Sequence, residues 1–229
     1  MKIMTFNTQH CLNYLEQRVD YEAMASVIND TGADIVALNE MYDAPSEFGA
    51  QTAKLSALTS LKNHYFGEAC FLDGSSYGNG LLSRYKIERA EVIPVPDPEV
   101  RAYDGYYETR CLIKARLENG ITVLVIHFGL NPDEHENAVK TILENLEDEK
   151  CILMGDFNIE PQSSLLDPIR AKMRDTAIGF CEDKLSWPSD KPAKKIDYVF
   201  VSSDIEVVSA DIPEIIASDH RPHIAQIEI

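Results

Sequence analysis

Apolar and polar positions fall in blocks along this chain, and the blocks predict a succession of strands and helices. Residues 2–6 read as a first strand, and 35–38 form an unbroken apolar run of the kind buried on both faces of a sheet. Asp20 stands where a helix cap belongs, and Met24, Val27 and Ile28 recur behind it at helical spacing. A helix over 48–61 precedes strands over 65–71, 79–83, 88–95, 110–117 and 122–127. Asn119-Gly120 between the last two is a hairpin signal, because both residues tolerate positive φ. Asn131-Pro132 opens a helix with Val139, Ile142, Leu143 and Leu146 on one face. Strands over 151–154, 196–201, 206–210 and 223–229 complete the set.

The opening strand has an echo. Lys2-Ile3-Met4-Thr5-Phe6-Asn7 resembles Ile152-Leu153-Met154-Gly155-Asp156-Phe157-Asn158. With helices on both sides of many strands and no linker or low-complexity tract, the pattern predicts an α/β chain of two packed sheets flanked by helices. It predicts one domain over residues 1–229.

Composition narrows the function classes. A hydrophobic share of 45% allows a sizeable core, yet no apolar run reaches membrane-spanning length, so no membrane insertion is expected. The chain enters a strand at once, without a charged leader and apolar stretch, which points to a cytoplasmic protein. Five cysteines, never spaced Cys-x-x-Cys, read as buried small hydrophobes. Lys and Arg number 21 against 38 Asp and Glu, a net charge of 21 − 38 = −17. Such a surface repels a phosphate polymer, so tight non-specific binding to duplex DNA is not expected.

The candidate chemistry lies where apolar runs stop. Glu40 follows the buried run 35–38, where an unpaired carboxylate would be costly and a cation would relieve the cost; a solvent-exposed loop acid is the even alternative. Asp156 and Asn158, two residues apart after Gly155, offer an acceptor for water and a donor for a phosphate oxygen, or an Asx-turn before Pro161. Asp197 within a strand needs a partner, and His220 in Ser218-Asp219-His220 is the obvious one; such a pair fixes the imidazole tautomer. Glu108, Arg110 and His127 share one end of a hairpin if the Asn119-Gly120 turn is tight, with Arg110 free to hold phosphate or to pair with Glu108. Lys191, Lys194 and Lys195 form a small basic cluster, either a solvated loop or a phosphate contact. His64, His135 and His223 sit in surface-like or terminal contexts and read as structural, while His10 is an outside member of the pocket.

Taken together, Thr5-Phe6-Asn7, Asn39-Glu40, Gly78-Asn79-Gly80, Glu108-x-Arg110, His127, Gly155-Asp156-Phe157-Asn158, Ile196-Asp197-Tyr198 and Ser218-Asp219-His220 resemble the endonuclease/exonuclease/phosphatase superfamily, in that family's order and over essentially the whole chain. The resemblance implies a four-layer α/β sandwich and a metal-dependent phosphohydrolase. It implies Mg²⁺ or Mn²⁺ at Glu40 with Asn7 and Asp219 helping, and Asp156 orienting or deprotonating the attacking water. Asn158, His127, Glu108 and His220 oriented by Asp197 would complete the catalytic set, with Arg110 and Asn79 on the substrate. Two positions depart from the family pattern: Asn39 replaces the usual Gln, and Ile126-His127-Phe128 replaces Thr-His-Leu. His at 127 is similar to the deoxyribonuclease and sphingomyelinase branches. The expected partner is a small phosphate ester rather than duplex DNA. A nuclease acting on short or damaged DNA or RNA, and a catalytically silent metal-binding scaffold, are the alternatives.

Overall fold

The computed structural model describes residues 1–44 and 49–229. Its strands are β1 (Lys2–Asn7), β2 (Leu12–Asn13), β3 (Arg18–Val19), β4 (Ile35–Tyr42), β5 (Asn63–Leu72), β6 (Ser75–Ser83) and β7 (Ile87–Val95). They continue as β8 (Arg110–Leu117), β9 (Thr122–His127), β10 (Cys151–Asp156), β11 (Met173–Asp175), β12 (Asp197–Ser202), β13 (Glu206–Asp211) and β14 (His223–Glu228). The helices are α1 (Tyr21–Thr31), α2 (Gln51–Leu58), α3 (Pro132–Asn145) and the single turn α4 (Asp167–Arg170).

Two six-stranded sheets face each other, ordered β13-β14-β1-β4-β6-β5 and β11-β12-β10-β9-β8-β7. The echo in the sequence has a structural counterpart. β1 and β10 each hold the third place, each parallel to one neighbour (β4, β9) and antiparallel to the other (β14, β12). Between the sheets lies a core drawn from both, including Ile3, Ile35, Leu81, Val123, Val125, Ile152, Met154, Val199 and Val201. Met24, Ile28 and Leu55 of α1 and α2 cover the outer face of the first sheet, and Ala138, Ile142 and Ile169 of α3 and α4 cover that of the second. The result is the four-layer sandwich of helices, sheet, sheet and helices.

Local chemistry sets the element ends. Asp20 accepts from the Ala23 amide and caps α1, while Asn131 and Glu134 form a reciprocal capping box on α3 with Pro132 in its first turn. The Asn119-Gly120 hairpin closes as expected, with Gly120 at φ 82. Some boundaries differ. The second helix spans only Gln51–Leu58, and Phe48, where the sequence placed its start, lies outside the described residues. β5 and β6 are longer than expected, because their outer ends pair with each other across the Asp73-Gly74 turn. His135 and His223 are buried rather than surface-like: His135 hydrogen-bonds the Gly129 carbonyl, and His223 reaches Thr176 Oγ1 and the Asp197 carbonyl. Four cysteines are buried and none is disulfide-bonded; Cys70 is half-buried.

Candidate active site

The inward-facing positions of the central strands keep a period of two, and at one end of the sandwich they turn from apolar to polar. Ile3 and Thr5 lead to Asn7, Ile35 and Ala37 to Asn39, and Leu81 to Asn79. In the second sheet Val123 and Val125 lead to His127, Ile152 and Met154 to Asp156, and Val201 and Val199 to Asp197. Polar ends from both sheets thus meet over the same apolar core.

Asn39 ties the sheets together there. Its Nδ2 donates to Asn79 Oδ1 (2.8 Å) and to the Ile126 carbonyl (2.9 Å), and its Oδ1 accepts from the Asp156 amide (3.0 Å). Asn7 does the same one strand over, donating from Nδ2 to Glu40 Oε1 (3.0 Å) and Asp156 Oδ2 (3.1 Å) while its Oδ1 accepts from the Gln9 amide.

Strict alternation would send Glu40 outward, away from the inner face. Instead β4 loses register with β6 between Leu38 and Met41, and Glu40 takes a left-handed φ of 59. The bulge turns its carboxylate toward the cavity, a strained arrangement of the kind that clusters at functional sites. Gln9, His10 and Cys11, also at positive φ, follow Asn7, and Gln51 pins this loop through the His10 carbonyl. His10 Nδ1 lies 3.9 Å from Glu40 Oε2.

The cavity has a volume of about 490 Å³. Glu40, Glu108, Arg110, His127, Asp156, Asn158, Asp219 and His220 line it. At its floor His220 Nδ1 sits 2.9 Å from Asp197 Oδ2, and His220 Nε2 lies 3.6 Å from Asp156 Oδ2. Asp197 Oδ1 is buried without a hydrogen-bond partner among the described residues, so the pair with His220 carries that carboxylate. Burial opposes charge on His220, but Asp197 and Asp156 together push its pKa up to about 10. Burial raises Asp156 above the usual carboxylate range, with the His220 cation opposing and Asp197 adding to the rise. His127 shows the opposite response: burial first, then Arg110 and His220, hold its pKa well below the ordinary value. Glu108 is raised, chiefly by burial, although it is ion-paired with Arg110.

Not every expectation holds. Asn79 does not line the cavity; it is buried with its oxygen on Asn39 and its amide nitrogen on the Cys111 carbonyl (3.1 Å) and Cys111 Sγ (3.7 Å), so both N–H groups are taken and none remains for a substrate. Asn158 does not extend β10. It sits in an Asx-turn, its amide on Asp156 Oδ1 (2.9 Å) at φ 51, and reaches the cavity from there. Lys195 faces away from the cavity, fully buried against Asp175 (3.5 Å) and the Tyr198 ring, whereas its neighbour Lys194 faces in. Tyr77, Tyr106, Leu130 and Trp187 form walls that sequence reasoning missed. Their signal was faint: Tyr106, Leu130 and Trp187 lie in loops with no period to mark them, whereas Tyr77 stands on β6 two residues before Asn79.

Asp156, Asp197 and His220 are the tightest group of ligand-type atoms among the described residues, all within 4.8 Å of one another. An imidazolium cannot ligate a cation, so this group is better described as a chain of ion pairs. Glu40, Glu108, Asp156, Glu160 and Asp219 offer carboxylate oxygens to the cavity; with Glu108 tied to Arg110 and Asp156 facing His220, Glu40 and Asp219 are among those that could hold a hard divalent ion. Two carboxylates, Glu40 and Asp156, converge on the single Asn7 amide, an excess of negative charge that a cation would offset.

A model of the Endonuclease/Exonuclease/phosphatase family matches residues 4–220. The chain belongs to this family. Family members generally depend on a divalent metal, and membership makes this chain a hydrolase of phosphate esters. Among solved structures it is similar to an endonuclease/exonuclease/phosphatase from Beutenbergia cavernae (TM-score 0.82, 23% identity, covering 100% of this chain and 71% of that one). It is also similar to a mannosyl-6-phosphatase from Bacteroides thetaiotaomicron (TM-score 0.77, 15% identity, 100% of both chains). A third is the 2′,3′-cyclic phosphatase ANGEL2, complexed with adenosine-2′,3′-vanadate (TM-score 0.72, 13% identity, 99% of this chain and 94% of that one). No curated protein matches the chain. No helix among the described residues is long and apolar enough to cross a membrane.

Proposed function

We propose that this chain is a Mg²⁺- or Mn²⁺-dependent phosphatase or phosphodiesterase that directs water onto the phosphorus of a small ester. The observation that carries the reading is the convergence of Glu40, Asp156, Asp219 and two imidazoles on one cavity of about 490 Å³. Glu40 and Asp219 would hold the ion, with Asn7 fixing the Glu40 carboxylate. When bound, the ion supplies Lewis-acid stabilisation of charge on the phosphoryl oxygens.

Asp156, with a raised pKa, is a base matched to near-neutral water activation. It takes a proton as the water oxygen bonds to phosphorus. His220, kept cationic by Asp197, faces the same carboxylate and donates to the oxygen that departs. The reacting charge therefore stays between a carboxylate and an imidazolium already in place, with little reorganisation.

Tyr106, Leu130 and Trp187 leave room for the organic part of a small molecule, and Lys194, over the Trp187 ring at 5.7 Å, adds a cation at the mouth. The net charge of −17 disfavours long nucleic acid. Two of the similar structures, the mannosyl-6-phosphatase and the 2′,3′-cyclic phosphatase, fit the same class. The test is a hydrolysis screen with Mg²⁺, Mn²⁺ and Ca²⁺ on sugar phosphates, 2′,3′-cyclic nucleotides, bis(p-nitrophenyl) phosphate, lipid headgroups and oligonucleotides. Metal-dependent turnover of a small ester is expected, with Asp156→Asn and His220→Ala each lowering it by about 1,000-fold or more. Turnover confined to oligonucleotides would replace the small-ester reading with a nuclease.

A further inference from the structure

The two imidazoles of the cavity face different partners, and the difference assigns them different chemistry. His220 Nδ1 meets a carboxylate, an acceptor, so that nitrogen carries a proton. His127 Nδ1 meets Arg110 Nη1 at 3.1 Å. A guanidinium has donors and no acceptor, and it does not deprotonate in a protein. The Arg110–His127 contact is therefore a hydrogen bond only if Nδ1 is bare and the proton resides on Nε2.

We infer that Arg110 is a positioning residue that fixes His127 as the neutral Nε2–H tautomer, so that His127 donates a hydrogen bond to the bound phosphoryl group and transfers no proton. The role of His127 rests on the phosphohydrolase reading; the tautomer does not. Arg110 is itself held. Its Nη1 also pairs with Glu108, and the side chain is nine-tenths buried. That pairing keeps the guanidinium against Nδ1 and leaves it little freedom to serve as a phosphate clamp.

The Nε2–H end is open. Asn158 Nδ2 approaches it at 3.3 Å, but that group is also a donor, and it has the Phe128 carbonyl as acceptor at 3.2 Å. Asp156 Oδ2 lies 3.6 Å away, beyond a good hydrogen bond. An imidazole N–H without a close acceptor, facing the cavity where the phosphohydrolase reading seats a phosphoryl group, is a preorganised donor. The charged groups packed around the ring are Glu108 and Arg110 before and within β8, Asp156 on β10, and His220 ahead of β14. Burial together with the two cations disfavours a second proton on the ring, in agreement with the bond pattern.

Nitrogen-15 NMR of the imidazoles in the metal-free protein tests the tautomer without any substrate. A bare Nδ1 and protonated Nε2 are expected for His127 at neutral pH, with a preference of ~10-fold or more, the scale of a hydrogen bond to a charged group. In Arg110→Met combined with Glu108→Gln, which avoids leaving a buried carboxylate alone, that preference should fall toward a mixture. Arg110→Lys, which retains a cationic donor, should restore it. A proton on Nδ1 in the wild type, or a tautomer indifferent to all the Arg110 variants, would overturn the inference.

Kinetics on bis(p-nitrophenyl) phosphate supply the second readout. His127→Gln keeps an N–H donor but cannot exchange protons; it should lose about 10-fold in kcat, against about 100- to 1,000-fold for His127→Ala, the usual cost of removing a preorganised donor. Equal losses in Gln and Ala variants would show proton transfer through His127 and refute the assignment. Absence of turnover in the wild type on every ester would refute the enzymatic reading instead, while the NMR result would still decide the tautomer.

Discussion

Replacing Gly155 by alanine tests how the central strand delivers its carboxylate. Gly155 pairs with Ile126 in the parallel β9–β10 ladder and has φ +153. A Cβ at this position would stand 1.8 Å from the Ile126 carbonyl oxygen, where ordinary contact begins at 3.4 Å, a deficit of 3.4 − 1.8 = 1.6 Å. The obstacle is backbone in the middle of a buried sheet, so no side chain can swing aside. Overpacking of this kind costs roughly 1–3 kcal/mol. The backbone conformation, unsuited to an L side chain, adds about 1–3 kcal/mol. A loss of about 4 kcal/mol, at a urea m-value of about 2 kcal/mol/M, lowers the unfolding midpoint by about 2 M. Because Asp156 is the next residue, a shift of about 1 Å should also cut turnover by about 100-fold. Gly32 is the control. It caps α1 at φ +65 with nothing within 4 Å of a Cβ, so Gly32→Ala should cost only about 1–2 kcal/mol of left-handed strain and leave turnover intact. If Gly155→Ala unfolds no earlier than Gly32→Ala and turns over at the wild-type rate, the close approach of the two strands is not as described.

Two further outcomes follow from buried polar groups. His223 is fully buried, and burial followed by the Lys195 charge lowers its pKa from 6.5 to about 4. The folded state therefore holds it neutral, and its contribution to stability is whole above pH 6.5. That contribution is lost as the unfolded chain gains a proton between pH 6.5 and 4, by up to about 3 kcal/mol. Urea midpoints across that range should fall less steeply for His223→Gln than for the wild type; parallel curves would contradict it. Asn39→Ala would strip the Asp156 amide and the Ile126 carbonyl of buried partners. A destabilisation on the order of 3 kcal/mol is expected from chemical denaturation, and a loss below about 0.5 kcal/mol would show that the bridge between sheets is dispensable.

Much of the site is legible in the sequence because strands carry their chemistry with a period of two. The apolar runs ending at Asn7, Asn39, His127 and Asp156 announce polar groups at strand ends, and only a shared sheet end is needed to bring them together. Glu40 breaks that logic. Its direction comes from a bulge and a positive φ, features set by pairing with β6 that no alternation encodes. Asn79 misleads for the opposite reason. It stands at the right strand end, but Asn39 and Cys111 consume both ends of its amide. Lys194 and Lys195, adjacent in a loop that closes on Trp187, point to opposite environments, and their shared charge hides the division. The walls from Tyr106, Leu130 and Trp187 arise from loops brought together by the two sheets, and apolar loop residues have no local rule.

Manganese binding, followed by electron paramagnetic resonance on the purified chain and on Glu40→Gln, bears most directly on the gathered pocket. One Mn²⁺ per chain should bind to the wild type, and the variant, which keeps size and hydrogen bonding but drops the charge, should bind at least 10-fold more weakly. Equal stoichiometry and affinity in the two proteins would place the ion elsewhere and contradict the assembly of Glu40 into a metal-holding cavity.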